Sequence, residues 1–334
     1  MQTMSPVTAP PVPARATRRT ELTALTTRYG LGLVSGLIPM NAFGVAVARG
    51  LVAGIMAGLG SCPPGTRVIT PRHSPVAGEW VLGPGVCVGR RVIYYVHGSA
   101  YVICSARTHR SLAARLSAVT GLPVFVVDYR LAPEHPFPAA ADDVAAGFDW
   151  LLSDGRDAGD ILVAGDSAGG HLICDLLLQR AARDETQPAA VALFSPLIDL
   201  SFVLAAEQER VRRDPAISAA AARRLVGLYI AQLPADHPRL RFDFTAADRL
   251  PPFLVQVGGV EMLVADARHL DHQIRTHDGN STLEVWPGLM HVFQALPRLG
   301  PEADAALVRV RDFFTAAIGV AATEEATTEA KVVS

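Results

Sequence analysis

Short, almost purely apolar runs recur along the middle of the chain at 91–96, 124–127, 161–164, 190–194, 253–257 and 283–286. Each is too brief for a helix with its own core face, and none alternates with polar residues. That is the pattern of strands covered on both sides. Between them, helical patterns occupy 108–119, 139–152, 169–183, 265–276 and 301–318. Strands alternating with helices predict an α/β fold with a mostly parallel central sheet flanked by helices. Ligands of such sheets bind beyond the carboxyl ends of the strands, so the loops after these runs are where chemistry is expected. The alternation breaks at 201–240, where Ala- and Arg-rich helical sequence predicts a lid inserted into the domain.

The two ends differ from the 65–320 core. Residues 1–28 are rich in Pro, Thr, Ala and Arg and read as an unstructured lead, and 321–334 as an unstructured Thr-, Glu- and Ala-rich tail. Between lead and core, 29–64 reads as cap helices. It includes an uncharged stretch at 31–48, preceded by Arg18, Arg19 and Arg28. Membrane attachment and a cleaved signal are the competing readings of that stretch. Pro39, Asn41 and its glycines, with the apolar pattern resuming at 51–59, favour buried or lid-type helices.

Composition narrows the function classes. Half of the 334 residues are hydrophobic and 19% are charged, which suits one large core. A formal net charge of -2 with scattered arginines gives no electrostatic footprint for nucleic acid or an anionic membrane. The four cysteines (Cys62, Cys87, Cys104, Cys174) lie far apart with no C-x-x-C spacing, so no metal site is expected. Reduced thiols ask for no oxidising compartment, and a cytoplasmic location is expected.

The strongest chemical signal is Gly165-Asp166-Ser167-Ala168-Gly169, directly after the 161–164 strand and opening the helix that follows. A strand turning sharply into a helix strains the serine and lifts its hydroxyl over the sheet edge, and small neighbours keep the turn free of clashes. Ser167 is therefore the expected nucleophile. Its base is expected on the loop after the last strand, where His291 stands. His73, His109, His237, His269, His272 and His277 sit in polar surroundings and read as surface residues, His135 as structural and His171 as core. The acid that orients the imidazole belongs after the 253–257 strand. Glu261 is preferred there, with Asp266 as the alternative because it falls inside the next helix. The loop His97-Gly98-Ser99-Ala100-Tyr101 follows the 91–96 strand. Gly98 and Ser99 N–H, with that of Ala168, are the expected oxyanion hole.

Three further stretches carry a resemblance: Asp128-Tyr129-Arg130-Leu131-Ala132-Pro133-Glu134-His135-Pro136-Phe137-Pro138-Ala139-Ala140, Ser195-Pro196-Leu197-Ile198-Asp199-Leu200 and His291-Val292-Phe293. With the serine turn, they make the chain similar, from about Arg49 to about Phe314, to the hormone-sensitive-lipase type of bacterial esterases in the α/β-hydrolase superfamily. The resemblance implies a helical cap and lid over the site. It also implies hydrolysis of a small-molecule carboxylic ester without a cofactor, and an Asp or Glu at position 261. The long hallmark reads as scaffolding, with Arg130 and Glu134 expected to pair, and Asp166 as support for the serine turn.

One departure stands out. Where that family carries three glycines, this chain has Gly98, Ser99 and Ala100, and Cys104 stands where relatives often have Gly. If position 99 or 100 needs a positive φ, the loop bears strain. The expected activity is hydrolysis of short- to medium-chain esters through an acyl-enzyme. Lactone hydrolysis, deacetylation of a small metabolite, and a ligand-binding homologue with weakened turnover are the alternatives.

Overall fold

The computed structural model describes residues 9–29, 41–230, 233 and 237–332. Two helices come first, α1 (Arg18–Tyr29) and α2 (Ala42–Leu59). The remainder follows as β1 (Arg67–Ile69), β2 (Gly78–Leu82), β3 (Val92–Val96), α3 (Ala106–Thr120), β4 (Val124–Val127), α4 (Ala139–Ser153), β5 (Ile161–Asp166), α5 (Ala168–Ala182), β6 (Ala190–Phe194), α6 (Val203–Val211), α7 (Ala219–Ile230), β7 (Phe253–Gly258), α8 (Val264–Thr276), β8 (Ser281–Trp286) and α9 (Glu302–Val332).

The eight strands form one sheet in the order β1-β2-β4-β3-β5-β6-β7-β8. β3 to β8 pair in parallel, as the apolar runs predict, while β2 runs antiparallel to both β1 and β4. The first two strands escape the sequence reading for physical reasons. β1 is three exposed residues at the sheet edge, and β2 carries Glu79 within it.

Side chains alternate across the central strands and divide the core in two. Val92, Tyr94 and Val96 of β3 pack on the face covered by α4, α5, α8 and the insertion, whereas Ile93 and Tyr95 pack on the face covered by α3 and α9. Every residue of β3, β4, β5 and β6 is buried, which is why these strands read as unbroken apolar runs.

The ends are more ordered than their composition suggests. Within the expected lead, α1 forms a helix with almost no apolar face. It is held instead by Thr20, which is buried, and by Arg19, which donates to the Arg298 carbonyl. Thr20 sits so close to Gly288 that a Cβ there would meet its Oγ1 at 2.6 Å. At the other end α9 runs through Val332, past the start of the expected tail. Ala- and Glu-rich sequence has a high intrinsic helix propensity.

The uncharged stretch lies outside the described residues up to position 40. From there it enters α2, whose first turn is capped by the Asn41 side chain accepting from Gly44 N–H at 2.9 Å. Among the described residues no helix is long and apolar enough to cross a membrane. Between β6 and β7 the chain forms α6 and α7, within the 201–240 segment.

The hallmark after β4 holds the structure together differently from expectation. Arg130 pairs with Asp143 on α4 at 2.8 Å, and Glu134 is taken by Arg49 of α2 at 2.8 Å. Arg49 also donates to the carbonyls of Val102 and Ala132. The expected Arg130–Glu134 pair gives way because α2 and α4 bring partners that lie far away in sequence.

Candidate active site

β5 ends at Asp166, and the chain reverses into α5 through Ser167, whose backbone sits at φ 50 and ψ -122. That is a forbidden region for most L-residues and costs on the order of 1–3 kcal/mol. The turn is held by Ser167 N–H donating to the Phe194 carbonyl at 3.0 Å, and by Leu197 N–H donating to the Ser167 carbonyl at 3.0 Å. Gly169 is required by packing: a Cβ there would lie 2.1 Å from the Val96 carbonyl oxygen.

The loops after β7 and β8 bring two more side chains to the same edge. His291 Nε2 lies 3.1 Å from Ser167 Oγ, and His291 Nδ1 lies 3.1 Å from Glu261 Oε2. Glu261 is fully buried and its Oε1 has no hydrogen-bond partner among the described residues. Desolvation disfavours the protonated imidazole of His291. The Glu261 carboxylate and its hydrogen bond outweigh this, aided by the charges of Asp214 and Asp166, and His291 is raised above its ordinary value. The His291 loop is fixed in turn by Val292 N–H donating to Ser195 Oγ at 3.1 Å.

The alternative acid, Asp266, is engaged elsewhere. Its Oδ1 accepts from Ile198 N–H and Asp199 N–H, both at 2.8 Å. Full burial pushes its carboxyl up to about 7. It organises the turn after β6 and does not reach the imidazole.

The loop after β3 is tied to the serine turn at Gly98. Gly98 N–H, expected as a donor, already donates to Asp166 Oδ1 at 2.9 Å. What Gly98 supplies is room: a Cβ there would lie 2.1 Å from Asp166 Oδ2 and 3.0 Å from Ser167 Cβ. Ser99 and Ala100 N–H donate to no group among the described residues, and both residues line the cavity that holds Ser167 and His291. Ala168 opens α5, so its N–H has no helical acceptor. Of the two positions that raised the question of strain, Ala100 takes the positive φ, at 47°, and Tyr101 and Cys104 follow at 62° and 68°.

A chain of hydroxyls braces this loop. Tyr101 N–H donates to Ser99 Oγ at 2.7 Å, Ser99 Oγ lies 2.5 Å from Tyr129 Oη, and Tyr129 Oη donates to the His97 carbonyl at 2.6 Å. Tyr129 stands in the hallmark, whose position directly after a neighbouring strand is the signal that it meets the loop. His109, expected at the surface, is buried on α3 with Nε2 3.4 Å from Asp166 Oδ2. Tyr95 Oη also donates to Asp166, at 2.7 Å. Against desolvation, these partners and Gly98 N–H hold Asp166 below the usual carboxylate range, as the charged support of the serine turn.

Above the serine lies a cavity of about 390 Å³. Its walls are Val52, Ile55, Met56 and Leu59 of α2, Ile217, Leu225 and Val226 of the 201–240 segment, and Met262, Leu263 and Met290 of the loops after β7 and β8. Burial pushes Cys104, on the same wall, up to about 12, so its thiol stays protonated and unreactive. Among the described residues no group of His, Cys, Asp or Glu is arranged to hold a metal ion.

Residues 93–295 match the family model described as the alpha/beta hydrolase fold. Relatives include an acetyl-hydrolase of Streptomyces hygroscopicus, 34% identical over 77% of this chain and 84% of its own. Another is the esterase LipU of Mycobacterium tuberculosis, 33% identical over 69% of this chain and 79% of its own. Among solved structures, an esterase from the bacterial hormone-sensitive lipase family superposes with a TM-score of 0.80 at 30% identity, covering 91% of this chain and 99% of that one. The chain thus belongs to the α/β-hydrolase fold family and, within it, to the ester hydrolases of the bacterial hormone-sensitive-lipase type.

Proposed function

We propose that this ester hydrolase works as a serine carboxylesterase on neutral esters with short- to medium-length acyl chains. The observation that carries the reading is the continuous contact from Ser167 Oγ through the His291 ring to Glu261, at 3.1 Å on each side. In this reading Ser167 attacks the ester carbonyl while His291 takes its proton. Glu261 fixes the imidazole tautomer and steadies the imidazolium without taking the proton itself. The oxyanion is received by the N–H groups of Ser99, Ala100 and Ala168, and each such donor is worth about 2.7–4 kcal/mol in the transition state. His291 then returns the proton to the leaving alcohol, and water, activated by the same ring, releases the acid from the acyl-enzyme.

The cavity supports the substrate class. Its volume of about 390 Å³ is that of a small-ligand site. Among its described lining residues there is no Lys or Arg to hold a phosphate or sulfate group. α2 and the 201–240 insertion act as cap and lid over it. A cytoplasmic location suits the four cysteines, all of which are free thiols.

Initial rates on p-nitrophenyl esters from acetate to palmitate test the class. The reading expects a maximum among the short and medium chains and loss at palmitate. A maximum at palmitate would contradict it.

A further inference from the structure

Asp214 sits in the turn between α6 and α7, within the insertion, and is almost fully buried. Its Oδ1 accepts from Ala216 N–H at 2.7 Å and Ile217 N–H at 3.3 Å, bonds within its own turn that aim the carboxylate. Its Oδ2 leaves the insertion altogether and accepts from Met262 N–H at 2.8 Å. Met262 directly follows Glu261. The loop's other anchors, Gly259 N–H to the Trp286 carbonyl at 2.8 Å and Val260 N–H to the Leu289 carbonyl at 3.1 Å, come from the β8 side.

Glu261 depends on this backbone. One of its carboxylate oxygens lies against His291 and the other has no hydrogen-bond partner among the described residues, so the loop backbone sets where the buried side chain points. We propose that Asp214 is a positioning residue for the ester hydrolysis: a lid-borne carboxylate that grips the acid loop at Met262 and so aims Glu261 at His291. The proposal rests on the esterase reading of the site. Ile217, beside Asp214, and Met262 both line the cavity, so one residue ties the wall that encloses the substrate to the alignment of the triad.

The position also places a second negative charge beside the pair. The titratable groups facing Asp214 are Glu261 and His291. Burial, reinforced by the Glu261 charge, pushes the Asp214 carboxyl up to about 6. Once ionised, it adds to the field that favours the imidazolium.

The test compares wild type, Asp214→Asn and Asp214→Ala on p-nitrophenyl butyrate from pH 5 to 9, with kcat expressed per site titrated by a fluorophosphonate. Counting titrated sites removes misfolded protein from the comparison. Asp214→Ala is expected to lower kcat by about tenfold or more while KM stays within about threefold. Asp214→Asn keeps the size and one acceptor oxygen but not the charge. It is expected to lower kcat less and to move the acid limb of kcat/KM down by roughly half a pH unit. Unchanged kcat per titrated site in both variants, with an unmoved limb, would overturn the proposal and leave the esterase reading intact. A wild type that neither titrates nor turns over would overturn both.

Discussion

The amide N–H of Gly98 donates to the carboxylate of Asp166 at 2.9 Å, joining the oxyanion loop to the residue just before the serine. Two loops that come from different strands are locked together by this bond, and the lock leaves no space for a side chain at position 98. The glycine that heads the loop is thus there for close approach.

Gly98→Ala places a Cβ 2.1 Å from Asp166 Oδ2 and 3.0 Å from Ser167 Cβ, so one of the two loops has to move. The expected cost is about 1–3 kcal/mol of stability, the usual range for overpacking. The expected loss in kcat/KM is larger than a stability change alone produces. Urea unfolding and p-nitrophenyl butyrate kinetics on the same preparation read both effects.

Substitutions at Ser99 and Ala100 are expected to act in opposite directions. Ser99→Ala removes the hydroxyl between Tyr101 N–H and Tyr129 Oη and leaves buried polar groups without a partner. It is expected to cost about 1–3 kcal/mol and to lower kcat. Tyr129→Phe is expected to do the same, and the double variant to cost less than the sum, since both act in one network. Ala100→Gly relieves a residue held at φ 47 and is expected to leave stability unchanged or raise it by up to about 1 kcal/mol, with activity retained. Thermal melts and kcat on the four proteins check this ordering.

The pH dependence follows from His291. In the proposed mechanism the working form of His291 is the neutral imidazole, and Glu261 raises its pKa above the ordinary 6.5. Activity is therefore lost as pH falls through a value above 6.5. Glu261→Gln removes the charge while desolvation remains, so the acid limb is expected to move to lower pH. Turnover above the limb is expected to fall by about 10³- to 10⁴-fold, because the tautomer is no longer held. A kcat/KM profile from pH 5 to 9 for both proteins shows the shift. An unmoved limb would mean that Glu261 does not face the imidazolium in solution.

Local signals carried most of the fold and the central site. Burial on both faces made β3 to β6 readable as apolar runs, and the serine turn follows one of them, β5, while Glu261 and His291 follow the runs of β7 and β8. What escaped was set by contacts across the fold. β1 and β2 have no uniform apolar run because they lie at the edge. Glu134 could be paired from sequence only with its neighbour Arg130, whereas its partner Arg49 lies on α2. His109 looks polar because its helix is polar nearby, yet it faces Asp166 inside the fold. Nothing local to Gly98 shows that its N–H points at Asp166. Asp214 carries no local signal, because its contact with Met262 N–H forms only when the chain after β6 folds back onto the loop after β7.

The central claim is that Ser167 is the nucleophile, activated through His291. The most direct measurement is intact-mass spectrometry of wild type and Ser167→Ala after exposure to a fluorophosphonate, followed by peptide mapping of the adduct. One phosphonyl adduct per wild-type chain, mapped to Ser167 and missing from Ser167→Ala, together with loss of ester hydrolysis in that variant, is the expected result. An adduct on another residue, or undiminished hydrolysis by Ser167→Ala, would contradict the account.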